Sequence, residues 1–154
     1  MKKILFAIDA SRGSFDLLDK TVGALRQLQP ADVVLIHVER LEGETVMDEL
    51  ILSDSELKTL IESMEGTEHQ EMLDRKAAKV VAYFTERLEQ QGVTTEKTLI
   101  RKGHPAEEIL KAIEEIQADL VVMGSQGSRV NRLFLGSVSR EVANNATVPV
   151  LLMR

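Results

Sequence analysis

The chain is predicted to fold as an open, doubly wound α/β domain, five parallel strands with helices on both faces. Two patterns carry that prediction. Runs such as Val33-Val-Leu-Ile-His-Val38 and Leu120-Val-Val-Met123 are apolar at consecutive positions, as strands buried on both faces are. The segments between them place apolar residues three or four apart, the period of a helix with one buried side. The two kinds alternate β-α-β-α-β-α-β-α-β along 154 residues, a length that suits one domain, 1–154, around a single core. No linker, internal repeat or low-complexity stretch interrupts it.

Lys2–Ile8 is a short apolar run and forms the first strand. Phe15, Leu18, Val22, Leu25 and Leu28 then repeat at helical spacing, and Pro30 ends that helix. Val33–Val38 is β-branched and apolar, a second strand. Arg40–Ser53 is irregular. Asp54–Gln91 reads as helix with two apolar stripes, one through Leu57, Leu60, Ile61 and Met64, another through Leu73, Val80, Val81, Phe84 and Leu88. Gly66 is a candidate break and Gly92 a natural C-terminal cap. Val93–Arg101 alternates weakly, a third strand. Pro105 sits where a first helical turn tolerates it, in a helix running to about Gln117. Leu120–Met123, Gly136–Asn145 and Val148–Met153 complete the pattern as strand, helix and strand.

Composition excludes several functions. The formal net charge is -6 and aromatics are 3% of residues, which argues against a basic phosphate-tracking face or a base-stacking platform, so no nucleic-acid partner is expected. Cysteine is absent, which removes disulfides, thiolate metal sites and cysteine catalysis. No apolar run approaches a membrane span. The apolar stretch after Lys2-Lys3 stops at Asp9, too short for a signal peptide, so the expected compartment is the cytoplasm. The three histidines lack metal-ligand spacing such as HExxH, and no metal-binding side-chain set is expected. No GxSxG elbow or Ser/His/Asp set is legible, and Ser11, Ser125 and Ser137 have no evident base.

One stretch runs against the acidic balance. Met123–Val142, MGSQGSRVNRLFLGSVSREV, contains three glycines, four serines and three arginines, with Glu141 its only acid. In a doubly wound sheet, ligands bind beyond the carboxyl ends of the strands. Ile8-Asp9-Ala10-Ser11 and Met123-Gly124-Ser125-Gln126-Gly127 are two such ends. If the first and fourth strands are neighbours, Asp9 and Gly124 flank one crevice. Gly136 opens a helix with Ser137-Val138-Ser139 in its first turn, where N–H groups lack intrahelical partners and the dipole favours an anion. Arg129 and Arg132 can add charge. The same glycines and serines also serve as ordinary turn and capping residues, and Asp9 can simply cap the first helix. Neither a P-loop nor a GxGxxG fingerprint is present.

Taken together these motifs resemble the universal stress protein family. Its ATP-binding members carry Gly-x2-Gly-x9-Gly-[Ser/Thr] after the fourth strand, to which Gly124, Gly127 and Gly136-Ser137 are similar, with Ser139 following. Here eight residues, Ser128–Leu135, separate the last two glycines rather than nine. Asp9-Ala10-Ser11 resembles the family's early Asp-x-Ser, and His37-Val38 its second-strand end. Gly103–Ile109 resembles the segment opening its third helix, and Asn144–Met153 its closing helix and strand. Ala7 stands where many members have proline. The likeness leaves out Arg40–Arg75, for which no role is legible.

The resemblance implies an adenine-nucleotide alpha-hydrolase-like sheet in the order 3-2-1-4-5 and a site for ATP, with or without magnesium. It implies that Asp9 lies near the ribose and any metal, with Ala7 and Ser11 on the same turn. It implies that the Val38 backbone meets the adenine edge and that Met123 and Gly124 line the nucleoside. Gly127, Arg129, Gly136, Ser137, Val138 and Ser139 would hold the phosphates. The last strand, at a sheet edge, would pair two copies into a homodimer. The function expected is stress-response regulation through nucleotide and through dimer or protein-partner contacts. The alternative is a dimeric interaction module without nucleotide, which the shortened glycine spacing favours. An ATPase or nucleotidyl transferase ranks last, because no catalytic base is visible and the transferase HxGH signature is missing.

Overall fold

The computed structural model describes residues 2–30, 32–40, 55–56, 59, 68–125 and 135–154. Its strands and helices are β1 (Lys3–Ile8), α1 (Arg12–Leu28), β2 (Asp32–Glu39), α2 (Glu68–Gln90), β3 (Thr95–Lys102), α3 (Pro105–Ile116), β4 (Leu120–Gly124), α4 (Ser137–Asn145) and β5 (Val150–Met153). All neighbours pair in parallel, in the order β3-β2-β1-β4-β5. The expected fold class and strand order are both observed.

The consecutive apolar runs are explained by two cores. Alternate residues of a strand point to opposite faces. Ile4, Phe6, Ile8, Val33 and Leu35 face Leu18, Val22 and Leu25 of α1 and Val80, Phe84 and Leu88 of α2. Leu5, Val34, Ile36 and Val121 face Ala106, Ile109 and Ile113 of α3 and Val142 of α4. Phe84 is fully buried, with the Phe15 ring 5.2 Å and the Phe6 ring 6.1 Å away.

Several boundaries differ from those the periodicity suggests, each for a local reason. The first helix begins at Arg12 because the Ser11 hydroxyl accepts the Ser14 N–H at 3.2 Å, making Ser11 the N-cap. The α2 helix ends in a Schellman motif: Gly92 takes a φ of 80° while Val93 N–H bonds Leu88 O and Gly92 N–H bonds Glu89 O. The third helix ends the same way, but with Gln117 at the left-handed position, φ 54°. The expected helix from Asp54 is described as helix from Glu68 onward, with Ser55, Glu56 and Thr59 also helical. The rest of its first part, Gly66 included, lies outside the described residues. The closing strand starts at Val150, since Pro149 has no N–H to give the ladder.

The sheet creates a topological switch. From β1 the chain crosses to β2 and β3 on one side, then returns to β4 and β5 on the other. The β1–β4 pairing stops at Phe6–Val122, although β1 continues to Ile8 and β4 to Gly124. The two strand ends therefore run on unpaired with each other, which leaves a crevice at their tips.

Candidate functional site

A cavity of about 670 Å³ opens at those tips, within the usual range for small-molecule sites. Its floor is the end of β1, β2 and β4: Ala7, Val38 and Met123 all line it. The pairing of β1 with β2 ends at Ile8–His37, so Val38 lies beyond the last β1 partner. His37 is buried, and its Nδ1 lies 3.2 Å from Ile8 O. A carbonyl only accepts, so Nδ1 carries the proton and fastens the two strand ends together.

A short turn leads from β1 into α1. The Asp9 carboxylate accepts the Ser11 N–H at 2.8 Å through Oδ1, and the Asp9 N–H meets Ser14 Oγ at 3.4 Å. Asp9 is thus the residue that shapes the turn, while Ser11 caps the helix. Asp9 is exposed and lines the cavity, so its second oxygen is available to a ligand.

Across the crevice, β4 and α4 are tied at close range. The Gly136 N–H donates to Ser125 O at 2.8 Å, and the Ser139 hydroxyl donates to Gly124 O at 2.7 Å. The Ser125 N–H donates to Met153 O at 2.9 Å. The chain therefore leaves β4 at Ser125 and returns at Gly136 to nearly the same point, which fixes the start of α4 against the β4 tip.

The first helical hydrogen bond of α4 runs from Arg140 N–H to Gly136 O at 2.9 Å. The N–H groups of Ser137, Val138 and Ser139 have no partner among the described residues. Gly136 at the N-cap carries no side chain to plug them, and no acid stands in the first turn. Ser137, Val138 and Ser139 line the same cavity as Asp9. Unpaired amides at the positive end of a helix dipole are chemically suited to an anion.

Ten of the twelve site residues read from the sequence meet in this one cavity: Ala7, Asp9, Ser11, Val38, Met123, Gly124, Gly136, Ser137, Val138 and Ser139. Gly127, Arg129 and Arg132 lie outside the described residues. The Ser139 hydroxyl hydrogen is committed to Gly124 O, so what Ser139 can offer a ligand is its backbone N–H. Sequence reasoning missed Arg140 in the first turn of α4, the apolar wall of Pro105 and Ile109 from α3, and Leu73 and Lys76 from α2. Arg140 lay in the same arginine-rich stretch and four residues past Gly136, which was a usable signal. The α2 residues gave none, because nothing local brings that helix to the strand tips. Among the described residues, no three His, Cys, Asp or Glu side chains cluster as a metal site. A magnesium here would rest on Asp9 and on the ligand's own phosphates. No helix among them is long and apolar enough to cross a membrane.

Comparison with known proteins shows the family and the fold. The model of the Universal stress protein family matches residues 1–154. Universal stress protein YxiE of Bacillus subtilis is 32% identical over 155 residues, covering 99% of this chain and 98% of its own. Universal stress protein MJ0577 of Methanocaldococcus jannaschii is 31% identical, covering 99% and 94%. The solved structure of MJ0577 superposes with a TM-score of 0.74 at 28% identity, again covering 99% and 94%. The universal stress protein of Archaeoglobus fulgidus, solved in complex with dAMP, shares the fold with a TM-score of 0.59 at 20% identity, covering 100% and 98%. The chain belongs to the universal stress protein family.

Proposed function

We propose that this protein binds an adenine nucleotide, ATP with or without magnesium, in the cavity between the β1 and β4 tips, and acts as a cytoplasmic regulator in the stress response. The observation that carries the reading is the open amino end of α4, three residues with unpartnered N–H groups that line one cavity together with Asp9. The phosphates bind at Gly136, Ser137, Val138 and Ser139, with Gly127 and Arg129 contributing from earlier in the same stretch of sequence. Asp9 meets the ribose and any metal, and Val38 meets the adenine edge through its backbone. Met123 and Gly124 line the nucleoside. The dAMP complex of the Archaeoglobus relative supports the choice of base.

The same reading includes a homodimer formed through β5. That strand is at the sheet edge, and Val150, Leu151, Leu152 and Met153 are all only half-buried. An edge strand with apolar side chains and unpaired backbone groups favours association. Mass spectrometry of the protein as purified tests the nucleotide reading first. Co-purifying ATP or AMP is the expected result. Binding of no adenine nucleotide at millimolar ligand would favour the second reading, a dimeric interaction module of the same family. One observation favours that module, the eight residues between Gly127 and Gly136. Slow ATP hydrolysis is a third reading, for which no evident base is found among the described residues.

A further inference from the structure

One buried acid that lines the cavity takes no part in the proposed nucleotide contacts. Glu39 ends β2 and is only 7% exposed. Alternation puts it on the face of Val33, Leu35 and His37, under α2. Gln70 of α2, itself 4% exposed, donates through Nε2 to Glu39 Oε2 at 3.0 Å and to Asp74 Oδ1 at 2.8 Å. Lys102 at the end of β3 reaches Asp74 Oδ1 at 3.3 Å. The Glu39 Oε1 atom is buried without a hydrogen-bond partner.

The one Gln70 amide nitrogen bonds both carboxyls, which gathers Glu39 and Asp74 around it. Two ionised carboxylates have only acceptors and cannot bond. A proton on Glu39 mends both faults, since the orphaned acid gains an O–H and Asp74 accepts it. Asp74 is exposed and paired with Lys102, so Asp74 keeps the charge and Glu39 keeps the proton. We propose that Glu39 and Asp74 share one proton as a latch, holding the amino-terminal half of α2 to the tips of β2 and β3 and releasing it when Glu39 ionises.

Burial first, and then the charge of Asp74, raise the Glu39 pKa above its ordinary value. The hydrogen bond from Gln70, reinforced by Lys102, lowers that of Asp74. The other ionisable groups lining the cavity are Asp9 beyond β1, His37 of β2, Arg40 just past it, Lys76 from α2 and Arg140 from α4. Lys102 favours the ionised Glu39 and is outweighed by burial. The latch bears on the cavity because Leu73, Lys76 and Ala77, which flank Asp74 along α2, line its wall. It holds whatever ligand the cavity takes.

The direction of the pH effect follows from these two displacements. The raised Glu39 contributes stability that is complete below its unfolded pKa and lost as pH rises through the folded one. The lowered Asp74 contributes stability present above its unfolded pKa and lost as pH falls through the folded one. The latch is therefore closed between the Asp74 and Glu39 titrations. A carbon-13 NMR titration of the side-chain carboxyls in the ligand-free full chain reads this directly, with hydrogen exchange of residues 68–77 followed over the same range. Glu39 should titrate above the exposed glutamates. Opening of residues 68–77 should increase by up to about tenfold per pH unit between the ordinary and the raised value, then level off. Glu39→Gln, whose amide can donate to Asp74, should exchange with no such rise. Asp74→Asn should move the Glu39 titration downward. A Glu39 that titrates with the exposed glutamates, an Asp74→Asn variant that leaves it unmoved, or a Glu39→Gln variant with the wild-type pH dependence would overturn the latch.

Discussion

Ser139 does two different jobs with its two polar groups. Its hydroxyl satisfies the Gly124 carbonyl at 2.7 Å, while its N–H has no partner among the described residues. Ser139→Ala removes the hydroxyl bond and leaves that carbonyl short of a donor. A loss of about 1–3 kcal/mol in urea denaturation is expected, with the backbone anion site still present. Ser11→Ala removes a helix N-cap and should cost about 1 kcal/mol. The residue types of the site were legible in the sequence. Asp9-Ala-Ser11 at a strand end and Gly136-Ser-Val-Ser139 at a helix start both announce a turn and a cap. Their division of labour was not legible. Whether Asp9 or Ser11 caps α1 depends on which reaches the Ser14 N–H, and the sequence holds candidates for both. Glu39 was invisible for a related reason. An acid at a strand end usually points to water, and only the packing of Gln70 over it makes it a buried group.

At the scale of elements, the helices and the buried strands were legible because their periods differ and their cores are one-sided or two-sided accordingly. The β3 strand was the weakest. It is an edge strand with exposed Glu96, Lys97 and Thr98, so half of its pattern reports solvent rather than core. Helix ends were also blurred, because capping depends on side-chain bonds that periodicity does not record. The end of α3 yields a prediction. Gln117 holds a φ of 54°, which costs a side-chain-bearing residue energy that glycine does not spend. Gln117→Gly should raise stability by about 0.5–1 kcal/mol after the extra unfolded-state entropy of glycine is subtracted, seen as a higher urea midpoint at unchanged slope. Phe84→Ala empties the centre of the α1–α2 core and should cost about 3–5 kcal/mol by the same assay.

The whole molecule joins these parts through one topological fact. Because the strand order reverses beside β1, an acidic turn and an open helix start, distant in sequence, face each other across 670 Å³ of space. The same order places β5 at an edge, where pairing of two copies is expected. Light scattering at micromolar concentration should give twice the monomer mass, and Leu152→Lys should return it to the monomer. The approach of α2 to the cavity belongs to this scale too, which is why no stretch of sequence foretold it. The central claim is that the unpaired amides of α4 receive an anionic ligand group. Calorimetry with ATP on the wild type and on Gly136→Asp tests it most directly. Gly136 has the extended backbone of an N-cap, φ -59° and ψ 154°, so an aspartate there folds back onto the free amides and blocks them while keeping the helix stable. The account predicts that the wild type binds and that Gly136→Asp, with equal or higher stability, does not. Undiminished ATP binding by Gly136→Asp would contradict it.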